Sequence, residues 1–264
     1  MQRLLLAMSF ILVVSSASFA QEPLQVGWAV ITPLSVTTNL VVFETFGFTR
    51  SATDTAQAGI LPPGLTTNAL VFVTSSTRLS RNVGVALVNP QSTSVNITLT
   101  LRRDDGTQFP TSPTITVQPM QQISRFVTEL FSGLPADFLG TLTITSTSPI
   151  SVVGLRFRGG NFSTIPITNV SPGGNVPTIS AGIGGAGAVL LPQFATGGGW
   201  ATEIVLSNTG TTAMTARVDL FKSDGTPLTA TLNNQTSSSF SNLTIPAGGV
   251  IAMAARNTTG DSVF

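Results

Sequence analysis

The chain has 264 residues with no cysteine, histidine or tyrosine, and its 12 Lys plus Arg stand against 11 Asp plus Glu for a formal net charge of +1. That inventory excludes Ser-His and Cys-His nucleophile systems, zinc held by imidazole or thiolate, c-type haem attachment and any disulfide staple. Near-neutrality argues against nucleic acid and anionic lipid as partners, because both are met by a basic face.

Arg3, an apolar run over 4–14, and the small residues ending in Ser18-Phe19-Ala20 have the plan of a secretory signal peptide over residues 1–20, cleaved after Ala20. The apolar run is too short to span a bilayer; the alternative is an uncleaved anchor helix. The expected location is therefore extracellular or in the cell envelope, with no membrane insertion after cleavage. A mature chain opening at Gln21 and lacking cysteine offers no acylation site of the lipoprotein kind. Export without disulfides demands a core sufficient by itself, and roughly 240 mature residues can build two sandwich domains of about 100 residues each.

Residues 21–67 hold two apolar, β-branched runs, 24–31 and 34–46, and then a Pro/Gly-rich loop. Thr32-Pro33-Leu34-Ser35-Val36 parallels Ser148-Pro149-Ile150-Ser151-Val152 farther along. The mature chain thus begins with what reads as the last part of a module.

The first complete module is expected over 68–170, and its first half recurs in the block 188–264. Setting Asn89 on Asn208, 119 residues apart, also sets Leu87 on Leu206, Thr93 on Thr212, Leu101 on Leu220, and Asp105-Gly106-Thr107 on Asp224-Gly225-Thr226. Alternation of Val95, Ile97, Leu99 and Leu101 with polar residues marks a strand with one buried face, and Met214, Ala216, Val218 and Leu220 repeat it. Strands are expected near 69–73, 83–89, 94–103, 113–118, 140–146, 150–158 and 163–167, the plan of an antiparallel sandwich. Ile123, Phe126, Val127, Leu130 and Phe131 recur at helical spacing, so a short helix is expected over 120–131.

A Gly-rich linker over 171–187 precedes the second block, which contains no counterpart of 140–167. Since an end of a module opens the mature chain and an end is wanting in the second block, residues 24–50 are candidates to complete 188–264. They can do so within one chain or between chains, by strand donation. The plain alternative is a truncated reading frame.

Leu191-Pro192-Gln193-Phe194-Ala195, Gly197-Gly198-Gly199-Trp200, Asn208-Thr209-Gly210 and Asp224-Gly225-Thr226-Pro227 resemble a repeat of exported bacterial proteins. Leu87-Val88-Asn89-Pro90, Phe131-Ser132-Gly133-Leu134-Pro135 and Val152-Val153-Gly154-Leu155 resemble it too. The resemblance implies tandem immunoglobulin-like β-sandwiches and export, and it implies no particular activity. The fold class expected is all-β, with tandem antiparallel sandwiches and one short helix in the first module.

For chemistry, the carboxylates Glu22, Glu44, Glu129 and Glu203 are scattered, and a hydrolase would need two of them to meet in space. Asp104, Asp105 and Asp224 lie in oxygen-bearing turns, where a calcium site competes with a plain hairpin turn; each turn offers too few carboxylates for calcium, and the hairpin is the reading adopted. The glycine runs lack the strand, helix and lysine of a phosphate cradle. Trp28 sits in an apolar run and reads as core, whereas Trp200 follows three glycines and reads as an exposed stacking platform for a glycan. Arg102, Arg103, Arg156 and Arg158 read as solvated strand positions that blunt edge pairing. These readings point to a non-enzymatic secreted or surface module without cofactors, binding protein or extracellular polymer and able to self-associate through strand edges. A carbohydrate-binding module is the alternative, and a carboxylate-dependent hydrolase a second one.

Overall fold

The computed structural model describes residues 26–33, 40–51, 54–170, 184–185, 187 and on to 263. The expected signal peptide and most of the Gly-rich linker lie outside these residues. The chain divides into two units, 1–31 and 32–264. In the described part of the first, 26–31, there is no strand, and Val26, Val30 and Ile31 are exposed.

The second unit is all-β, with several antiparallel sheets and one short helix. It opens with a hairpin of β1 (Glu44–Ser51) and β2 (Asp54–Ile60), paired from Glu44↔Ile60 onward. Phe46 of β1 stacks on Phe162 at 5.1 Å, in contact with the first module. Residues 44–51 therefore pair with 54–60 and not with the second block.

Eight strands then form a single antiparallel network: β3 (Thr66–Ser76), β4 (Arg81–Val88), β5 (Val95–Arg103), β6 (Thr114–Val117), β7 (Gln122–Phe126), β8 (Asp137–Arg158), β9 (Asn161–Ile165) and β10 (Thr168–Asn169). Its strands alternate as their sequence demands. Val95, Ile97, Leu99 and Leu101 of β5 are all fully buried, as are Val71 and Val73 of β3, and they meet Val83, Leu87, Leu142, Ile144 and Val152 in one core. Burying side chains of this kind contributes about 1.5–3 kcal/mol each.

Two expectations are corrected here. The separate strands foreseen at 140–146 and 150–158 are one strand, β8, that changes partners on the way. Its first part lies between β3 and β5, with Leu142 opposite both Val71 and Leu101; its second part lies between β4 and β9, with Gly154 opposite both Val85 and Ile165. Pro149 falls at the handover, after Ser146↔Ile97 and before Ser151↔Val88, where its missing N–H removes no ladder bond. Because β3, β4 and β8 pair with one another in turn, the network is one sheet curled round its core, a near-barrel by hydrogen bonding and not two separate facing sheets.

The expected helix is the second correction. Residues 122–126 are strand β7, paired with β4 from Val88↔Gln122 to Gly84↔Phe126, and only α1 (Val127–Leu130) is helical. A strand contributing Ile123 and a single helical turn contributing Val127, with Phe131 just after it, happen to sum to a helical spacing. The backbone N–H of Phe126 donates to Glu129 Oε2 at 2.7 Å, which fixes the point where strand becomes helix.

The second block repeats half of this plan. β11 (Ile204–Ser207) pairs with β16 (Val250–Met253), and β12 (Met214–Asp219) with β15 (Ser239–Ile245). Leu206↔Ile251 matches Leu87↔Ile123, and Met214↔Ile245 matches Val95↔Val117. β11, β12, β15 and β16 therefore stand where β4, β5, β6 and β7 stand in the first module. The difference is an inserted hairpin, β13 (Ala230–Leu232) with β14 (Gln235–Ser237), turned by Asn233 and Asn234 at φ +49° and +65°. Ile204, Leu220, Leu232, Phe240 and Met253 form a core of their own.

Candidate functional site

The oxygen-bearing turns resolve into a repeated hairpin closure. Thr107 donates to Asp105 Oδ1 through its backbone N–H at 2.8 Å and its hydroxyl at 2.6 Å; Thr226 does the same to Asp224 Oδ1 at 2.9 and 2.7 Å. Those bonds hold both carboxyls below the ordinary aspartate range. Gly106 and Gly225 supply φ of +85° and +82°. Asp104 contributes its backbone: its carbonyl accepts from Val250 N–H at 2.9 Å, tying the first turn to the second block. Among the described residues no group of three or more acidic side chains could hold a metal ion.

A third copy of this turn closes the described chain, at 257–261. The backbone bonds Arg103 N to Thr107 O and Gly106 N to Arg103 O recur as Asn257 N to Asp261 O and Gly260 N to Asn257 O. Its Asn257-Thr258-Thr259-Gly260-Asp261 sequence lacks the Asp-Gly-Thr signature of the other two.

Asn89 and Asn208, equivalent positions of the repeat, are buried and identically bonded. Asn89 Nδ2 is the donor to the carbonyls of Thr93 (2.8 Å), Val117 (3.0 Å) and Gln118 (3.1 Å), and its Oδ1 accepts from Gln91 N–H (2.9 Å). Asn208 Nδ2 serves Thr212 (2.8 Å), Ile245 (3.2 Å) and Pro246 (3.0 Å), and its Oδ1 accepts from Gly210 N–H (2.9 Å). Each asparagine fastens the loop after one strand to the end of another, satisfying carbonyls that the bend would strand.

Trp200 is 73 % exposed and closes a turn in which its N–H donates to Gly197 O and its carbonyl accepts from Gly197 N–H. Val189, Leu190 and Leu191 in the same block are also exposed. Phe194, between them in sequence, packs against the block's core.

Of the four arginines read as solvated strand positions, Arg158 is exposed, whereas Arg102, Arg103 and Arg156 are half-buried. Arg156 Nη1 pairs with Glu203 Oε2 at 2.9 Å, with the two side chains 19 % and 9 % exposed, and Arg158 donates to the carbonyl of Val263. Arg102 donates to Gly106 O at 3.2 Å, and Arg103 lies over the Phe109 ring at 5.4 Å. Two further arginines join the grip. Arg78 makes a bidentate pair with Asp261 at 2.8 and 2.6 Å, and the buried Arg81 donates to Ser262 O at 2.5 Å. Burial first, then the charges of Arg158 and Arg156, lower the Arg81 pKa from its ordinary value, whereas Arg78 holds Asp261 well below the usual carboxylate range. The cluster thus fastens residues 261–263 to the first module. Its polar residues serve this contact, and Glu129, Glu203, Asp219 and Asp261 each accept a bond in it or elsewhere in the fold. Arg78 and Arg81, spaced three apart beside a turn, carried no periodic signal that would have singled them out.

No protein-family model and no curated protein matches this chain. Among solved structures, the crystal structure of the protein Thermotoga maritima 1070 is similar at 14 % identity and a TM-score of 0.30, over 39 % of this chain and 90 % of that one; a likeness of that size carries no argument about fold or function.

Proposed function

We propose that the chain is a non-enzymatic, exported structural or adhesive protein of the cell surface, built from tandem immunoglobulin-like sandwich units and acting by association with protein or extracellular polymer. The observation that carries the reading is unfinished strand pairing. Among the described residues β11 and β12 each pair along one edge only, while their counterparts β4 and β5 pair along both. Open edges are sites of strand addition. The sandwich description draws support from β8, whose two parts belong to the layers β10-β3-β8-β5-β6 and β7-β4-β8-β9 over a common core, joined at the Pro149 bend. Export rests on the sequence plan of residues 1–20. Among the described residues no helix is long and apolar enough to cross a membrane.

The test is fractionation of cells producing the full chain, followed by binding of the purified protein to immobilised copies of itself and to extracellular polymer. Recovery in the exported fraction with saturable binding supports the proposal; retention in the cytoplasm, or no binding to either surface, overturns it. The exposure of Trp200 favours carbohydrate as a second reading. Glycan-array signal that disappears in Trp200→Ala would favour that reading over the first.

A further inference from the structure

We infer that the polar cleft between the outer face of the first module's sheet and the loops of the second block binds an acidic sugar, with Arg102 as the partner of its carboxylate. The inference rests on the association reading above and deepens it by naming the chemistry of the polymer unit that is held.

The cleft follows from strand alternation. Leu101, Leu142 and Ala69 are buried in the core, so their neighbours Arg102 on β5, Thr141 and Thr143 on β8 and Asn68 on β3 lie on the opposite face of the sheet. Register brings these four together, with Arg102 opposite Thr141 and Asn68 opposite Thr145, the next residue of β8 on the same face as Thr143. Loops 207–210 and 246–249 of the second block form the other wall, joined where Gly248 N–H donates to Gly210 O at 3.1 Å. Between the walls is a cleft of about 270 Å³, lined by the four sheet residues and, from the loops, by Thr209 and Gly248 among others. Gly248 makes room for the arginine: at its φ of +65° a Cβ would lie 3.2 Å from Arg102 Cδ.

The polar groups that meet here are not used up by the fold. Thr141 is 3 % exposed, and among the described residues neither its hydroxyl nor that of Thr143 has a hydrogen-bond partner. Asn68 Oδ1 accepts from the Thr145 hydroxyl at 3.5 Å, while its amide nitrogen donates to no described residue. Arg102 uses Nη1 on Gly106 O at 3.2 Å. No carboxylate pairs with it among the described residues, in contrast to Arg78, Arg156 and Arg217. Buried polar groups are as a rule bonded, so four that converge on one space mark a place for a ligand's oxygens.

The same groups define the ligand. Arg102 is the one charged residue lining the cleft among the described residues. A single guanidinium fork matches a carboxylate, which carries one charge and accepts two parallel N–H bonds, whereas a phosphate ester with close to two charges calls for further cations. Hydroxyls that both donate and accept, beside a carboxamide donor, match the hydroxyls of a sugar. The volume lies below the roughly 300–1,000 Å³ of pockets for drug-sized ligands, so the cleft takes one sugar unit.

Saturation-transfer NMR on the full chain tests the site, with galacturonate against galactose as free sugars and polygalacturonate against dextran as polymers. Galacturonate is expected to bind at least about tenfold more tightly than galactose, the difference made by one charged hydrogen-bonded contact. Arg102→Gln removes the charge, and Thr209→Phe fills the cleft from an exposed loop position outside the sheet; calorimetry confirms that each variant folds. Both are expected to weaken galacturonate binding at least about tenfold. Polygalacturonate binding that free galacturonate displaces identifies the polymer as the source of the sugar; binding of the free acid alone supports the site with a free sugar acid as its ligand. Equal binding of galactose and galacturonate, binding of neither, or galacturonate binding unchanged in Thr209→Phe overturns the inference. Binding of the protein to immobilised copies of itself is measured in parallel, and if it persists in that case the association reading stands while the sugar site falls.

Discussion

The two copies of the Asp-Gly-Thr turn offer a comparison in which one substitution is made twice in the same local geometry. Gly106 and Gly225 have φ of +85° and +82°, so Gly→Ala costs either turn about 1–2 kcal/mol for placing a Cβ in the left-handed region. Around Gly225 a Cβ would meet nothing within 4 Å. Around Gly106 it would lie 1.9 Å from the carbonyl oxygen of Ala247 and 3.1 Å from Gly249 N, both backbone, which cannot swing aside. The turn must lift from the 246–249 loop, with overpacking of roughly 1–3 kcal/mol and strain or loss of the Val250 N–H to Asp104 O bond at 2.9 Å, itself about 1 kcal/mol. Gly106→Ala is therefore expected to destabilise by roughly 2–4 kcal/mol more than Gly225→Ala, about 4–16 °C in melting temperature for a unit of this size. Differential scanning calorimetry reads both variants, and Gly106→Ala is also expected to split the transition as the blocks uncouple. Equal melting temperatures would refute the claim that the first turn is seated on the second block.

Asn89→Asp and Asn208→Asp keep the accepting oxygen but turn an oxygen toward three carbonyls, so each is expected to cost at least the roughly 1–3 kcal/mol of stranding a buried polar group, measured by urea unfolding. The introduced carboxyl is neutralised as the pH falls toward about 3.9, the ordinary aspartate value, so acid restores part of the loss; a variant as stable as the parent at pH 7 would contradict the pinning role. Asp261 is held low by Arg78, so its contribution is complete above the ordinary aspartate range and is lost only as the pH falls through the lower folded value. Hydrogen exchange of residues 257–263 should accordingly stay slow at mildly acid pH and rise in stronger acid, and Arg78→Ala should raise it already at neutral pH; exchange indifferent to Arg78 would contradict the grip. Trp200→Ala, at a side chain 73 % exposed, is expected to leave the melting temperature unchanged within about 0.5 kcal/mol of stability, and a large drop would place the ring in a core.

Much of this architecture was legible because it is local and periodic. The 119-residue repeat survives in the structure as matched registers, Leu87↔Ile123 beside Leu206↔Ile251, and the alternation of β5 and β12 marked the buried face of each. What escaped was decided by partners. No residue of 137–158 says that β8 runs unbroken through Pro149, because the handover depends on which neighbours each half meets. The apolar spacing of 120–131 suits a helix equally well until β4 is present to claim 122–126 as a strand. The third turn is built by Asn257, whose Oδ1 accepts from the N–H groups of Thr259 and Asp261, so the geometry recurs with different chemistry. Arg156 and Glu203, 47 residues apart, form an ion pair that only the docking of the blocks creates. Trp200 stands exposed as its glycine-flanked position suggested, whereas the inserted β13–β14 hairpin interrupts the repeat without any break in composition that marks it.

Among the described residues β12 pairs along one edge only, whereas its counterpart β5 pairs along both. Amide hydrogen exchange of the two strands, followed in the full chain from dilute to concentrated solution, tests the proposed association most directly. Residues 214–219 are expected to exchange much faster than 95–103 when dilute and to become protected as copies associate. Equal, concentration-independent protection of the two strands would contradict it.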